Sequence, residues 1–333
     1  MIPSELSGFL VDLSVDPARL AAYIDDPGAA MDAAGLDRRS RNALGSGSAQ
    51  NVWDVLSDRP PAHHEVASRR PDESEGAARG SLTVVGTGVS LGQLTVEAIA
   101  WIKQADAVCY LVADPVAEEA IRRLNPRGAV SLRKHYGEGV RRERSYEAMV
   151  EHILTCVRAG LRTCAAFYGH PGVYTFPSHE SIRQARQEGF EARMLPSVSA
   201  EDCLFADLGV DPAVSGCQSY EATDFLVHLR TPDTSAQLIL WQVGAVGVWT
   251  YRAKGYELPA FPVLVARLRE FYAPSHEVVV YEAAVLPGVA PRIARIPLGA
   301  ITAADVTARS TVYVPPGRPS RINDATVSAL KTE

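Results

Sequence analysis

Cysteine is scarce in this chain, five in 333 residues. Cys109, Cys156, Cys164, Cys203 and Cys217 are odd in number and include no CxxC pair, so neither a zinc-ribbon site nor a disulfide framework is indicated. Cys109 and Cys164 sit inside apolar runs and read as reduced core residues. An excess of basic charge is also missing: 33 Lys and Arg stand against 39 Asp and Glu, a net charge of −6. A nucleic-acid phosphate track needs clustered Lys and Arg, so that class of partner is excluded. No apolar run reaches membrane-spanning length, and Met1-Ile2-Pro3-Ser4-Glu5 lacks a basic region followed by an apolar core. The expectation is a cytoplasmic protein with no membrane partner. His63-His64 lies in a polar stretch and reads as incidental, so no metal is expected.

What is present is ordinary for a folded protein, 47% hydrophobic and 22% charged residues, and the length predicts two or three domains. Residues 1–56 read as a small all-helical module. Leu6, Phe9, Leu10 and Leu13 fall at i, i+3, i+4 and i+7 on one helical face. Asp16-Pro17 and Asp26-Pro27 each place a capping carboxylate before a proline suited to a first helical position. Leu20 and Tyr23 continue the apolar stripe, Gly35 is placed to end the helix begun at Pro27, and Val52, Trp53, Val55 and Leu56 form a last apolar turn. The core of such a module is thin, so it is expected to dock on something larger. Residues 57–79 contain Arg59-Pro60-Pro61 and Arg69-Arg70-Pro71-Asp72-Glu73 with almost no apolar side chains, the composition of a linker.

From residue 80 the pattern changes to alternating strands and helices. Strands are expected at 81–85, 107–112, 163–168 and 191–195, with helices at 95–104, 146–159 and 178–189, which implies a mostly parallel sheet. A second unit from about residue 199 carries strands at 237–243, 276–283 and 310–314 and a helix near 261–271. Two α/β domains with a cleft between them are the coarse reading. The first strand ends in Gly86-Thr87-Gly88. On that turn alone a dinucleotide-binding loop competes evenly with other phosphate or cofactor loops, since Asp106 lies where a ribose-binding acid could fall, although Gly92 comes too late for GxGxxG.

Two further loops separate these readings. Phe167-Tyr168-Gly169-His170-Pro171-Gly172-Val173 and, after Met194-Leu195-Pro196, Ser199-Ala200-Glu201-Asp202 each follow a strand and are rich in small or turn-forming residues. With Phe205-Ala206-Asp207-Leu208-Gly209, Trp241-Gln242-Val243-Gly244 and Thr311-Val312-Tyr313-Val314-Pro315-Pro316, residues 80–316 resemble the tetrapyrrole (corrin and porphyrin) methylases throughout, in motif order. Closer still, they are similar to the borosin peptide methyltransferases of the omphalotin type, which methylate backbone amides of a ribosomal peptide. The implied fold is α/β, a two-domain tetrapyrrole-methylase fold at 80–198 and 199–320, with the extra all-α module at 1–56, the linker at 57–79 and a tail at 321–333. The implied cofactor is S-adenosylmethionine, surrounded by Gly86, Gly88, Tyr168, His170, Val173, Ser199, Ala200, Gln242, Ala283 and Thr311. Gln242 beside Trp241 also reads, on its own, as an ordinary strand residue.

Residues 13–44, with Asp16-Pro17, Tyr23 and Asp26-Pro27, resemble the borosin-binding helical domain that recognises a precursor's leader. In the fungal fusions that domain follows the methyltransferase; here it precedes it. The bacterial split systems, with the helical domain at the front of a separate precursor, offer one parallel, and a fusion of precursor with enzyme is one reading. The resemblance also implies a homodimer with the helical module packed across the subunit boundary.

Methylating a neutral amide nitrogen requires a base, a positive or hydrogen-bonding partner for the carbonyl oxygen, and an in-line methyl donor; it requires no metal. The segment His135-Tyr136-Gly137-Glu138-Gly139-Val140-Arg141-Arg142-Glu143-Arg144-Ser145-Tyr146 can supply the first two. By resemblance Tyr136, Arg142 and Tyr146 are catalytic, with Arg141 and Arg144 leaving the arginine's register open. Arg142 would depress a phenol so that Tyr136 acts as base and Tyr146 donates to the amide oxygen, or the two tyrosines exchange roles. Without the resemblance, the same charge run opening a helix is a solvated face. His170 reads as a loop-shaping residue, and Glu201 and Asp202 as helix-start carboxylates.

A peptide backbone N-methyltransferase is therefore expected, acting on a ribosomal precursor peptide in trans or in cis. A corrin-precursor C-methyltransferase and a non-catalytic peptide-binding homologue are the alternatives. A core peptide in cis finds little support, since Val66 is the linker's only aliphatic beyond alanine and the tail holds only Ile322, Val327 and Leu330 as large apolar residues.

Overall fold

The computed structural model describes residues 5–46, 49–56, 80–113, 115–253, 255–285 and 289–330. The expected linker lies outside the described residues. By its internal contacts the chain divides into two compact units, residues 1–88, 93–133 and 148–197 in one and residues 89–92, 134–147 and 198–333 in the other.

The first unit begins with five helices, α1 (Glu5–Val15), α2 (Pro17–Asp25), α3 (Pro27–Ala33), α4 (Arg38–Gly45) and α5 (Ala49–Leu56). Both Asp-Pro pairs cap as the sequence implies. The Asp16 carboxylate accepts the N–H groups of Ala18 and Arg19, and that of Asp26 accepts Ala29 N–H, each with proline opening the helix. Asp37 does the same for α4 by accepting from Ser40 at 2.7 Å. At the end of α3 Gly35 takes φ +70°. Its N–H donates to Asp32 O and that of Leu36 to Met31 O, which satisfies two carbonyls and folds Leu36 back onto Met31. Leu6, Met31 and Leu36 are the buried centre, joined by Phe9, Leu10, Tyr23, Leu44, Val52, Val55 and Leu56.

Five strands follow, β1 (Ser81–Gly86), β2 (Ala107–Leu111), β3 (Ala129–Ser131), β4 (Arg162–Phe167) and β5 (Glu191–Met194). They are linked in turn by α6 (Val96–Gln104), α7 (Pro115–Leu124), α8 (Arg142–Arg158) and α9 (Phe176–Gln187). The sheet is parallel throughout, in the order β3-β2-β4-β1-β5. Its inner strands read as continuous apolar runs because helices cover both faces: Val84, Val85, Val108, Tyr110, Ala165 and Ala166 have no exposed surface. Thr95 caps α6, so the helix begins one residue later than expected. More consequentially, α8 begins at Arg142 rather than Tyr146.

The helical module is held against this sheet's edge helix. α2 packs along α6, Gln104 Nε2 donates to Ala21 O at 2.8 Å, and Arg162 at the start of β4 bonds both Asp106 and Asp25. Ile24 also borders a cavity of about 220 Å³ shared with Ser81, Trp101, Arg162 and Glu191, the first residues of β1, β4 and β5 among them. The docking implied by a thin core is therefore met within the chain.

The second unit contains α10 (Ala200–Leu208), α11 (Pro212–Ser215), β6 (Cys217–Glu221), α12 (Ala222–Val227), β7 (Gln237–Trp241), α13 (Phe261–Arg269), β8 (Glu277–Glu282), β9 (Arg292–Pro297), β10 (Thr311–Val314) and an exposed α14 (Asp324–Leu330). Its sheet has the order β6-β7-β10-β8-β9. Only β6 and β7 pair in parallel; the other three pairings are antiparallel, so the parallel pattern expected of alternating elements does not extend here. For β8 and β9 the cause is connection length: only residues 283–291 separate them, fewer than the dozen or so a parallel crossover needs. Period-two alternation divides the strands between two cores. Leu238, Leu240, Val278, Val280, Val312 and Val314 face α12 and α13, while Ile239, Trp241, Val279, Tyr281 and Tyr313 face α10.

Candidate active site

In the first unit the loops after β1 and β4 are joined backbone to backbone. Thr87 N–H donates to Phe167 O and Gly169 N–H to Gly88 O, both at 2.8 Å, and Tyr168 N–H donates to Leu111 O at 3.1 Å. Gly88 and Gly169 both take φ +69°, a region costly for side chains. Gly86 has a different reason for being glycine. A Cβ there would lie 2.3 Å from Gly169 O and 2.5 Å from Ser197 Cβ. Ser197 Oγ is buried with no hydrogen-bond partner among the described residues. His170 shapes the turn, its Nδ1 accepting Gly172 N–H at 2.9 Å. Tyr168 is exposed, Val173 half-buried, and the following Tyr174 is held at φ +51°.

In the second unit Ser199 and Asp202 cap α10 reciprocally. Ser199 Oγ accepts the N–H groups of Glu201 and Asp202, and Asp202 Oδ2 accepts Ser199 N–H at 2.7 Å. Burial, and then the neighbouring Asp202, push the Glu201 carboxyl above its ordinary range. Gln242, immediately after β7, adopts φ +56° and ψ +30°. A non-glycine residue in this left-handed conformation costs roughly 1–2 kcal/mol, and such strain is retained where the surroundings impose it. Two residues on, the chain passes close to other backbone: a Cβ on Gly244 would lie 1.8 Å from Thr307 O. Thr311 opens β10 opposite Tyr281 of β8, and Ala283 follows β8. Antiparallel pairing therefore places Gln242, Thr311 and Ala283 at one edge of the second sheet, with Ala200 and Ala283 both packed on the core that contains Trp241.

The tyrosine cluster is also built within the second unit. Residues 139–142 run antiparallel to residues 249–251: Arg142 N–H donates to Trp249 O, Tyr251 N–H to Val140 O and Gly139 N–H to Tyr251 O, at 2.9–3.0 Å. The Glu138 carboxylate accepts Ala253 N–H at 2.9 Å and pairs with Arg252, which holds it below the usual carboxylate range. This ribbon stacks the Tyr136 ring on Tyr251, with centroids 4.5 Å apart, and sets it edge-on to Tyr146 at 6.4 Å. Because α8 begins at Arg142, Arg142 and Tyr146 stand at i and i+4 on one helical face. The Arg142 guanidinium lies 4.8 Å from the centre of the Tyr256 ring.

Tyr146 experiences opposed influences. Burial is the largest and raises its phenol above the ordinary value; the positive charge of Arg142 and a hydrogen bond from Tyr136 both lower it. The sequence reading left the two tyrosines free to exchange the roles of base and donor, and the charge of Arg142 is among the influences on Tyr146. Trp249, Tyr251, Arg252 and Tyr256 were not anticipated as members of this cluster. The available signal was aromatic density in a segment without strand or helix periodicity, Trp249-Thr250-Tyr251 and Tyr256.

Comparison with known proteins gives a consistent picture. Residues 81–300 match the model of the Tetrapyrrole (Corrin/Porphyrin) Methylases. The chain is 43% identical over 257 residues to the methyltransferase/ribosomally synthesized cyclic peptide dendrothelin A precursor of Dendrothele bispora, covering 76% of this chain and 61% of that protein. It is 43% identical over 242 residues to the corresponding omphalotin A precursor of Omphalotus olearius, covering 71% and 58%. The chain thus spans about three fifths of the length of these relatives. Among solved structures it is similar to uroporphyrin-III C-methyltransferase from Thermus thermophilus, at 17% identity and a TM-score of 0.48, covering 71% of this chain and 92% of that one. By the span of the family match, which takes in about two thirds of its length, the chain belongs to the tetrapyrrole methylase family.

Proposed function

We propose that this protein is an S-adenosylmethionine-dependent methyltransferase that methylates backbone amide nitrogens of a ribosomal precursor peptide. The observation that carries the reading is Tyr146, a half-buried phenol with a cation one helical turn away and Tyr136 as its hydrogen-bond partner, the two influences that oppose the rise caused by burial. Both partners favour the phenolate, which is what a base for an amide N–H must become. The relatives' names, methyltransferases joined to ribosomally synthesized peptide precursors, support the same substrate class.

The cofactor fits the residues present. Gly169 has open space where a side chain would stand, Gly86 and Gly88 let the loops pack closely around it, and Ser197 Oγ is an orphaned buried hydroxyl beside Gly86. By the resemblance, the cofactor residues are Gly86, Gly88, Tyr168, His170, Val173, Ser199, Ala200, Gln242, Ala283 and Thr311. When bound, S-adenosylmethionine supplies an electrophilic methyl group on a sulfonium. In this reading Tyr146 takes the amide proton and Tyr136, fixed by its stack on Tyr251, donates to the phenolate that awaits it. Arg142 contributes a fixed positive charge to the site where negative charge develops, and its own position is set by Tyr256.

The helical module is read as the leader-recognising part, the protein as a homodimer on the strength of the resemblance, and its location as cytoplasmic. No helix among the described residues is long and apolar enough to cross a membrane. Tandem mass spectrometry of the purified protein after incubation with S-adenosylmethionine, alone and with a separate precursor peptide, tests the reading. Methyl increments on backbone amides of the chain establish action in cis, and increments on the added peptide establish action in trans. No increment on either, with cofactor binding intact, refutes it and favours a corrin precursor or a non-catalytic role.

A further inference from the structure

A second constellation lies in the first unit, away from the tyrosines. Cys109 sits in the middle of β2, and His152 and Cys156 stand one turn apart on α8. Their Sγ and imidazole nitrogen atoms all lie within 4.8 Å of one another. We propose that Cys109, His152 and Cys156 form a binding site for a soft divalent cation, with zinc as its occupant.

The chemistry of the donors carries the proposal. Two thiolates and one imidazole are a standard zinc set, and three protein ligands with a fourth position open is the form of a site that also admits water or an exogenous ligand. Two thiolates cancel the cation's charge, so the closed site is neutral and suits a buried wall; Cys109 is 1% exposed. His152 and Cys156 are half-buried, so the site is not sealed from solvent on their side.

The geometry is close to closure. With Zn–S at roughly 2.3 Å and Zn–N at roughly 2.0 Å, the edges of a tetrahedron are roughly 3.5–3.8 Å. Each pair of donor atoms, at most 4.8 Å apart, has at most about 1.0–1.3 Å to close. The scaffold beneath them is firm, because Met149, Val150, Ile153, Leu154 and Val157 are buried along the adjoining face of α8. Forty-three residues separate Cys109 from His152, so the site carries no CxxC-type signature, and the expectation of no metal followed from sequence spacing alone. A bound cation would fasten β2 to α8, the helix that also carries Arg142 and Tyr146.

The test uses the full chain, desalted after equilibration with zinc chloride and then assayed for metal by mass spectrometry. About one zinc per chain is expected, with affinity weakened about a hundredfold or more in His152→Gln and in Cys156→Ser, beyond what even outer-shell changes cause. Cys203→Ala, outside the cluster, keeps the metal. Cobalt substitution of the parent protein reads the ligands directly, since thiolate coordination gives sulfur-to-cobalt charge-transfer bands and strong tetrahedral d–d absorption. Zinc retained equally by parent and both variants, no zinc retained by the parent, or a cobalt spectrum without thiolate bands each overturns the proposal. So does a Cys109–Cys156 disulfide in freshly purified protein.

Discussion

Removing one hydroxyl should separate the two tyrosines. Tyr146→Phe keeps the ring and deletes the group that burial raises and that Arg142 and Tyr136 act upon. Proton transfer by a positioned side chain contributes about 10²–10⁴-fold, so the methylation rate is expected to fall by that factor, about 3–5 kcal/mol in the barrier. Folding stability should move much less. The substitution forfeits a hydrogen bond with Tyr136, about 0.5–1.5 kcal/mol, and also relieves the burial of a polar oxygen. Tyr251→Phe is the matched control: it preserves the 4.5 Å stack with Tyr136 and should stay within about threefold of the parent. The assay is the time course of methyl increments by mass spectrometry at saturating cofactor, with urea unfolding run on each variant. A Tyr146→Phe rate within about threefold of the parent, on a folded protein that binds cofactor, refutes the assignment of the base.

Three other outcomes follow from particular contacts. Arg142→Met removes the charge that lowers the Tyr146 phenol, so the rising limb of the pH–rate profile should move to higher pH; an unmoved limb in a folded variant excludes Tyr146 as the titrating base. Gly86→Ala places a Cβ 2.3 Å from Gly169 O, and calorimetry should show cofactor binding weakened more than about tenfold; undiminished affinity would detach this loop from the cofactor. Burial pushes the Cys164 thiol up from 9.0 to about 12. The folded chain therefore keeps a proton that the unfolded chain loses as pH rises through 9, and stability falls from there toward pH 12. Cys164→Ala should flatten that decline by one proton's share, read from urea midpoints at successive alkaline pH values; an unchanged slope contradicts it.

Much of the framework was legible because local chemistry agreed with tertiary packing. The two Asp-Pro caps, Gly35 at a helix end and the strand around Val84 each state their conformation without help from distant residues. The helix start at Arg142 was misplaced because no Ser, Thr, Asp or Asn announces it. Backbone pairing of Arg142 with Trp249 sets that start, and such a partner over a hundred residues away leaves no local trace. The antiparallel half of the second sheet was missed for a related reason. β9 mixes Ile293, Ala294 and Ile296 with Arg292 and Arg295 and is too exposed to show an apolar run. In the site, Tyr136, Arg142 and Tyr146 were visible as residues, while Tyr251 and Tyr256, which position them, depend on a ribbon that only the fold assembles.

The seat of the helical module at the start of β1 and β4 gives the first unit a built-in ruler. Arg162 and Ile24 tie α2 to the amino ends of the strands, whereas the loops at Gly86–Gly88 and Tyr168–Val173 leave from their carboxyl ends. Six residues of β1, at about 3.3 Å each, separate the two edges by about 20 Å. On the proposed reading of the module as the leader-binding part, a peptide held there would need at least about six extended residues to cross that distance before its amides could meet those loops. Spacer length, independent of side-chain identity, would then set the earliest position open to modification.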